Sequence, residues 1–307
     1  MSAAFWVILT GSFAAAACAL VGSFLVLRKQ AMLSDAISHA VLPGIAIAFL
    51  LTASRNTFPM LIGAGMFGLL TVYLTEFLHK KGRLKHDSSM GIVFTTLFAI
   101  GVIIITMFAG QVDLDQECIL YGEIVYVPWD RWIWFDMDMG PRAVWILGFV
   151  LTLNVMFVSF FFKELKVYSF DPQFAAAMGI PVTLIHYMLM GSVSFSTIAA
   201  FESVGAILVV ALLIVPPATA YLLTTDLKKM LLLSVLIGVL SAISGYYLAV
   251  FINGSVAGAI AVMTGFFFAL AFLFNPESGF FYRIFLKSEQ KKMILEMGKP
   301  SLAKKQS

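Results

Sequence analysis

Long apolar runs free of charged residues constrain this chain more than any other feature of its sequence. They recur along the 307 residues, and many are close to twenty residues long. A helix of about 20 apolar residues crosses the roughly 30 Å hydrocarbon core of a bilayer. Only 12% of the residues are charged, whereas a large soluble all-α protein would need a charged face on every surface helix. The chain is therefore predicted to be an all-α polytopic membrane protein.

We predict nine membrane-spanning helices. Basic residues cluster in every second connection, and one of the remaining connections carries a run of acidic residues. Since the basic side of a membrane protein faces the cytoplasm, the N-terminus is predicted outside and the C-terminus in the cytoplasm. The alternation holds over all nine spans, which supports the count. The predicted spans are 4–27, 36–53, 58–78, 89–110, 143–162, 181–200, 204–224, 229–251 and 255–274.

The chain divides into a membrane domain, residues 1–275, and a basic cytoplasmic tail, residues 276–307. The lysine-rich tail is expected to touch the anionic inner leaflet. The external connection 111–142 is acidic and rich in aromatic residues, which anchor at the level of the lipid headgroups. We expect an interfacial helix or a hairpin over the outer mouth, with or without a partner there.

A carboxylate and an imidazole open the second predicted span. Asp35 and His39 are four residues apart, so they share one face of a helix. An ionisable residue within a span is costly and is a functional hypothesis by default. This ligand pair suits Mn²⁺, Zn²⁺ or Fe²⁺, and a dimer would double it to four ligands. The structural alternative is that Asp35 caps its helix and His39 bonds a neighbouring carbonyl.

The other candidate ligands are weaker. His79 and His86 lie in a basic connection and are interpreted as solvated surface, and His186 as a structural hydrogen-bonding residue. Glu202, at the outer break between spans six and seven, is proposed as an auxiliary ligand or a gate.

A short helix is predicted at 171–179, in the inside connection after span five. Asp171 suits the N-cap, Pro172 the first helical position and Gly179 the C-terminal stop. A helix of two turns is unstable alone in water. It must therefore dock, either on its own protein or on a cytoplasmic partner.

Two consecutive prolines, Pro216 and Pro217, predict a helix break within span seven. Such a break is tolerated in a membrane where neighbouring helices or a water-lined cavity satisfy the freed carbonyls. Several spans also carry closely spaced small residues, such as Ala14 to Ala17 and Gly63, Gly65 and Gly68, which let helices approach.

No nucleotide-binding or hydrolytic motif is present: the chain lacks G-x-x-x-x-G-K-[ST], H-E-x-x-H and G-x-S-x-G. We therefore expect a transport subunit rather than an enzyme, with no permanently bound cofactor and no nucleic-acid partner. Two alternatives stay open. One is a secondary transporter driven by protons or sodium. The other is an intramembrane metal hydrolase, which would need a third protein ligand and a general base.

Two stretches carry a resemblance to a known family. Residues 33–44, LSDAISHAVLPG, resemble the first signature of the manganese/zinc/iron permease family of bacterial ATP-binding-cassette importers. Residues 205–220, GAILVVALLIVPPATA, resemble its second signature. Residues 171–179 occupy the place of its coupling helix, and the resemblance runs from about residue 5 to residue 275.

The resemblance implies a permease that pairs with a second permease subunit, identical or paralogous, in the bacterial plasma membrane. An extracytoplasmic metal-binding lipoprotein delivers the ion, and two cytoplasmic ATPase subunits clamp the coupling helices. The family implicates the Asp and His of the first signature in the metal path, which carries over to Asp35 and His39. Residues 111–115 and 120–123 look most like manganese-type members, with zinc or iron next. The implied coupling residues are Asp171, Pro172, Gln173, Ala176 and Gly179.

Overall fold

The computed structural model describes residues 3–52, 57–108, 124–134 and 137–275, and these ranges are almost entirely helical. Within these ranges, strands occur only in one short hairpin between the fifth and sixth helices. The helices are α1 (Ala3–Leu27), α2 (Met32–Ala40), α3 (Leu42–Thr52), α4 (Thr57–Gly82), α5 (His86–Phe108), α6 (Arg142–Phe160), α7 (Phe162–Phe170), α8 (Pro172–Ala177), α9 (Val182–Val204), α10 (Ala206–Leu223), α11 (Leu227–Ile252) and α12 (Val256–Phe274).

Nine helical segments of the described ranges are long and apolar enough to cross a membrane, which confirms the predicted count. Their ends lie within four residues of the predicted ones. One span consists of two helices, α2 and α3, which are separated by a turn at Val41. Pro43 explains this turn, because it has no N–H to donate to the carbonyl of His39, four residues earlier. The orientation of the termini stays a prediction.

The spans pack in two groups. The first, which we call the central bundle, surrounds α1 and contains α6, α9, α10, α11 and α12. The second, the α2–α5 group, contacts the central bundle mainly through α9, which packs against α4 and α2. Burial differs most between α1, where 61% of the most apolar stretch is buried, and α5, where 17% is buried. Residues Ala14 to Ala17 of α1 are buried, as their packing role predicts.

The prolines of α10 do not interrupt its helix, which runs continuously from Ala206 to Leu223. The helix therefore does not end at the prolines, because the fixed φ of proline is compatible with a helix and what is lost is the N–H donor. The predicted kink stays a prediction. Pro217 leaves the carbonyl of Leu213 without its helical partner. That carbonyl lies against Gly22 of α1, where any Cβ would overlap the carbonyl oxygen.

The described part of the outer connection forms a hairpin, one of the two forms expected. β1 (Arg131–Trp134) pairs antiparallel with β2 (Met137–Pro141). Trp145 at the start of α6 donates a hydrogen bond from Nε1 to the carbonyl of Met139, at 2.9 Å. The acidic stretch at 111–115, residues 120–123 and the tail at 276–307 lie outside the described residues.

Candidate metal site and coupling surface

Asp35 and His39 lie on the one open stripe of α2. Their side chains are 43% and 35% exposed, and Met32, one turn earlier, is exposed as well. The remaining faces of α2 are buried against α4, α5 and α9; the buried residues are Leu33, Ser34, Ala36, Ile37, Ser38 and Ala40. Both predicted ligands therefore face away from the core of their own subunit.

The two side chains are spaced as ligands of one ion would be. Asp35 Oδ1 and His39 Nε2 are 3.6 Å apart. Two ligands about 2.1 Å from a tetrahedral ion are about 3.4 Å from each other. The imidazole also lies between two phenyl rings of α5, with centroid distances of 5.9 Å to Phe94 and 5.8 Å to Phe98. The rings restrict the imidazole while its Nε2 edge stays beside the carboxylate.

The pair alone is an incomplete site. In the ranges that the structure describes, no three His, Cys, Asp or Glu side chains are grouped so as to hold a metal ion. Two ligands do not hold a divalent cation tightly, because its preferred coordination number is four or more. Further ligands would have to come from a second subunit or from water.

The pair lies on the same side of the membrane as α8, which is the predicted coupling helix. Arg28, directly after α1, hydrogen-bonds to Tyr168 in α7, just before α8. The helix α2 starts at Met32, and Asp35 and His39 lie three and seven residues further. At 1.5 Å per residue these positions are about 4.5 and 10 Å along a path of about 30 Å.

Glu202 lies at the opposite end of the membrane domain. Its helix, α9, begins at Val182 beside α8, and Glu202 is twenty residues further, about 30 Å along the helix. There it lines a pocket of about 180 Å³ with Asp130 and Arg142. The structure therefore does not bring Glu202 together with the α2 pair, and of its two predicted roles the gate is the one its position allows.

The coupling helix has the ends that the sequence predicts. Asp171 Oδ1 accepts hydrogen bonds from the backbone N–H groups of Gln173 and Phe174, both at 3.0 Å. Pro172 occupies the first turn, and Gly179 has φ +81°, a left-handed conformation that favours glycine. Ala175 is the only residue of the helix that is buried. The remaining residues, including Gln173 and Ala176, are exposed.

The segment before the coupling helix was not predicted to be helical. α7 follows α6 after a bend at Phe161, whose φ is −100° and ψ is 22°. Leu165 and Tyr168, three residues apart, are both fully buried, while Lys163 and Lys166 carry the polar side of the helix. This apolar spacing is a signal that could have predicted α7.

A second group of polar side chains, which we call the junction cluster, consists of Arg28, Glu76, Lys80, Tyr168 and His186. The structural role predicted for His186 is confirmed: its Nδ1 lies 2.8 Å from Tyr168 Oη and 3.0 Å from Arg28 Nη1. Its Nε2 lies 3.4 Å from Glu76 Oε1, and Glu76 Oε2 pairs with Lys80 Nζ at 2.6 Å. Sequence reasoning missed Glu76, although an acid inside a span is itself a signal.

Proton positions in the junction cluster follow from its donors. Burial raises the pKa of the Tyr168 hydroxyl to about 12, so Tyr168 keeps its proton. Burial also lowers the pKa of Arg28, but a guanidinium only donates. Nδ1 of His186 must therefore accept, and the imidazole proton lies on Nε2, which is 3.4 Å from Glu76 Oε1 but makes no hydrogen bond to it. His79 is exposed, as predicted, whereas His86 is half-buried beside Gln30.

Comparison with known proteins identifies the family. The ABC 3 transport family matches residues 1–275, so the chain belongs to that family. The manganese transport system membrane protein MntD of Bacillus subtilis is 54% identical over 279 residues, covering 91% of this chain and 94% of the relative. The zinc transport system membrane protein TroD of Treponema pallidum is 44% identical over 273 residues, covering 89% of this chain and 74% of the relative.

A solved structure supports the same assignment. PsaBC from Streptococcus pneumoniae, determined in complex with Fab, has a chain that superposes with a TM-score of 0.76 at 31% identity. The match covers 94% of this chain and 96% of that chain. Family, fold and apolar spans together establish a multi-pass protein of the bacterial plasma membrane.

Proposed function

We propose that this chain is the membrane-spanning subunit of an ATP-driven importer for a divalent transition metal. Manganese is the first candidate substrate, and zinc or iron follows. The observation that carries the proposal is the half-exposed Asp35–His39 pair, spaced as two ligands of one ion on the open stripe of α2. The names of the relatives, a manganese system and a zinc system, support the same substrate class.

A second permease subunit, identical or paralogous, completes the site. Two copies of the pair supply two carboxylates and two imidazoles, which is enough for a divalent ion of the Mn, Zn or Fe type. The open side of the α2–α5 group supports this arrangement, because α5 exposes large apolar side chains beside His39. A sparse site shared between subunits also suits transport, since the ion must be able to leave.

Energy for transport comes from ATPase subunits that bind the coupling helix. Phe174 in this helix and Met178 directly after it are 55% and 60% exposed. The segment is too short to fold alone. Large apolar side chains presented in this way are suited to a groove on a partner protein. An extracytoplasmic metal-binding lipoprotein delivers the ion to the opposite face, where the aromatic hairpin and Glu202 lie.

The test is metal uptake by vesicles that contain the assembled importer with ATP in the lumen. We expect Asp35→Ala and His39→Ala to reduce manganese accumulation to the level of empty vesicles while the ATPase still co-purifies. Matched controls are Asp87→Ala and His79→Ala, which remove the same side-chain types from exposed positions. Uptake equal to wild type in both α2 variants would refute the site.

The same vesicles test the rival class. A secondary transporter would accumulate metal in response to a proton or sodium gradient without ATP. We expect no accumulation when the lumen lacks ATP, whatever ion gradient is imposed. Sustained uptake under those conditions would favour the secondary transporter.

A further inference from the structure

The junction cluster occupies the place where three parts of the molecule meet. Arg28 belongs to the end of α1, in the central bundle, and Glu76 and Lys80 belong to α4, in the α2–α5 group. Tyr168 and His186 lie on either side of the coupling helix, three residues before Asp171 and seven residues after Gly179. Any displacement of the coupling helix therefore acts on this cluster through both Tyr168, which precedes the helix, and His186, which follows it.

The cluster is buried at its centre, where Tyr168 is 1% exposed and His186 is 7% exposed. Hydrogen bonds join Arg28, Tyr168 and His186, and an ion pair joins Glu76 to Lys80 at the solvent end. Between these two parts, His186 Nε2 lies 3.4 Å from Glu76 Oε1 without a hydrogen bond to it. Removing charged groups from water is costly even when they are paired, so a pure packing role would be served as well by apolar side chains.

The cluster also touches the element that carries the metal pair. Arg28 begins the four-residue connection to α2, and Asp35 lies seven residues further along the chain. The guanidinium lies 4.0 Å from the centre of the Tyr168 ring in addition to its hydrogen bonds. The path from Tyr168 to the start of α2 is therefore short.

We propose that the junction cluster transmits movement of the coupling helix to α2, with Tyr168 and Glu76 as positioning residues for transport. The proposal rests on the proposed function, since it assigns a role within ATP-driven import. Neither residue touches the metal. Their expected signature is altered stoichiometry between ATP hydrolysed and metal moved, with metal binding unchanged.

The test compares Tyr168→Phe with wild type in the complete importer, reconstituted with its ATPase, partner permease and binding protein. The substitution removes only the hydroxyl that joins Arg28 to His186. Residues that mediate coupling between sites change it by about 2- to 30-fold. We expect the number of manganese ions imported per ATP to decrease by a factor in that range. Manganese affinity and ATPase co-purification should remain as in wild type.

The matched control is Tyr247→Phe, which removes the same hydroxyl from an exposed position on α11. We expect no change in its metal-to-ATP ratio. Glu76→Gln tests the other side of the cluster and replaces Tyr168→Phe if that variant does not assemble. His186→Gln, which keeps one donor and one acceptor, should retain more of the ratio than His186→Leu.

The outcomes separate the two proposals. A wild-type importer that moves none of manganese, zinc and iron would contradict the proposed function. A wild-type importer that works, with ratios unchanged in both Tyr168→Phe and Glu76→Gln, would contradict the transmission role alone. Lower thermal stability with an unchanged ratio would show that the cluster only holds the fold together, and would also overturn the inference.

Discussion

The central bundle and the α2–α5 group differ in which of their helices the subunit buries. α1 lies at the centre of the first group and is mostly buried, whereas α5 of the second group leaves most of its surface outside the subunit. The candidate metal pair lies in the α2–α5 group, and the junction cluster lies between that group and the central bundle. The difference between α1 and α5 leaves the open side of α5 for lipid or for a second subunit.

The largest expected effect is in the central bundle. Gly22→Ala would place a methyl group onto the Leu213 carbonyl, and backbone cannot yield as a flexible side chain does. We expect a loss of about 3 kcal/mol in unfolding free energy, measured by thermal unfolding of the purified complex. Gly65→Ala in α4 is the control, because a Cβ there meets nothing within 4 Å. If Gly22→Ala and Gly65→Ala lowered the unfolding free energy equally, these two positions of the two groups would not differ in how closely their surroundings are packed.

The next effect is at the link between the groups. Glu76→Ala removes the ion pair with Lys80 and leaves a gap beside the Nε2 of His186, which makes no hydrogen bond in the structure. Losing a largely exposed ion pair together with the contacts of a mostly buried side chain costs about 1–2 kcal/mol, and we expect a loss of that size. A fully neutral substitution would mean that α4 and α9 are held together without the cluster.

A smaller effect is expected at the coupling helix. Asp171→Ala removes an N-cap, worth about 1 kcal/mol, and should accelerate amide hydrogen exchange at 172–177 about fivefold. Asp226→Ala removes the corresponding cap of α11, where Asp226 Oδ1 accepts from the Lys228 N–H at 3.1 Å, and serves as the control. Unchanged exchange in the Asp171 variant would mean that partner or lipid contacts, and not the cap, stabilise the helix.

The smallest effect on stability is expected at the metal pair itself. His39 is half-exposed, its only ion-pair partner in the described ranges is Asp35, and its ring contacts Phe94 and Phe98, so His39→Ala should lower the unfolding free energy by at most about 1 kcal/mol. Loss of uptake without loss of stability is what separates a transport residue from a scaffold residue. A large loss of unfolding free energy in His39→Ala would instead mean that His39 contributes to core packing.

Much of this fold could be predicted because its signals are local. Apolar runs fix the spans, and the end signals at Asp171, Pro172 and Gly179 fix the coupling helix. The turn at Val41 also had a local signal in Pro43, whose missing N–H interrupts the helix one turn after His39. Pro216 and Pro217 do not end α10, and the kink predicted for them stays a prediction.

The junction cluster could not be assembled from the sequence. Arg28 and Tyr168 are 140 residues apart, and no periodicity or motif joins them. Only packing of α1 against α7 and α9 brings them together. The position of Asp35 and His39 along the membrane-crossing path also depends on tertiary contacts. The link from Arg28 to Tyr168 places the start of α2 beside the coupling helix.

The most direct test of the central idea is pulsed electron paramagnetic resonance of Mn²⁺ bound to the complete importer. This chain alone would carry ¹⁵N-labelled histidine, so that only its own imidazoles give a ¹⁵N hyperfine signal. We predict that signal in the wild-type complex and its loss in His39→Ala, with His186→Gln unchanged. A ¹⁵N signal that persists without His39, or its absence from the wild-type complex, would contradict a metal path through Asp35 and His39.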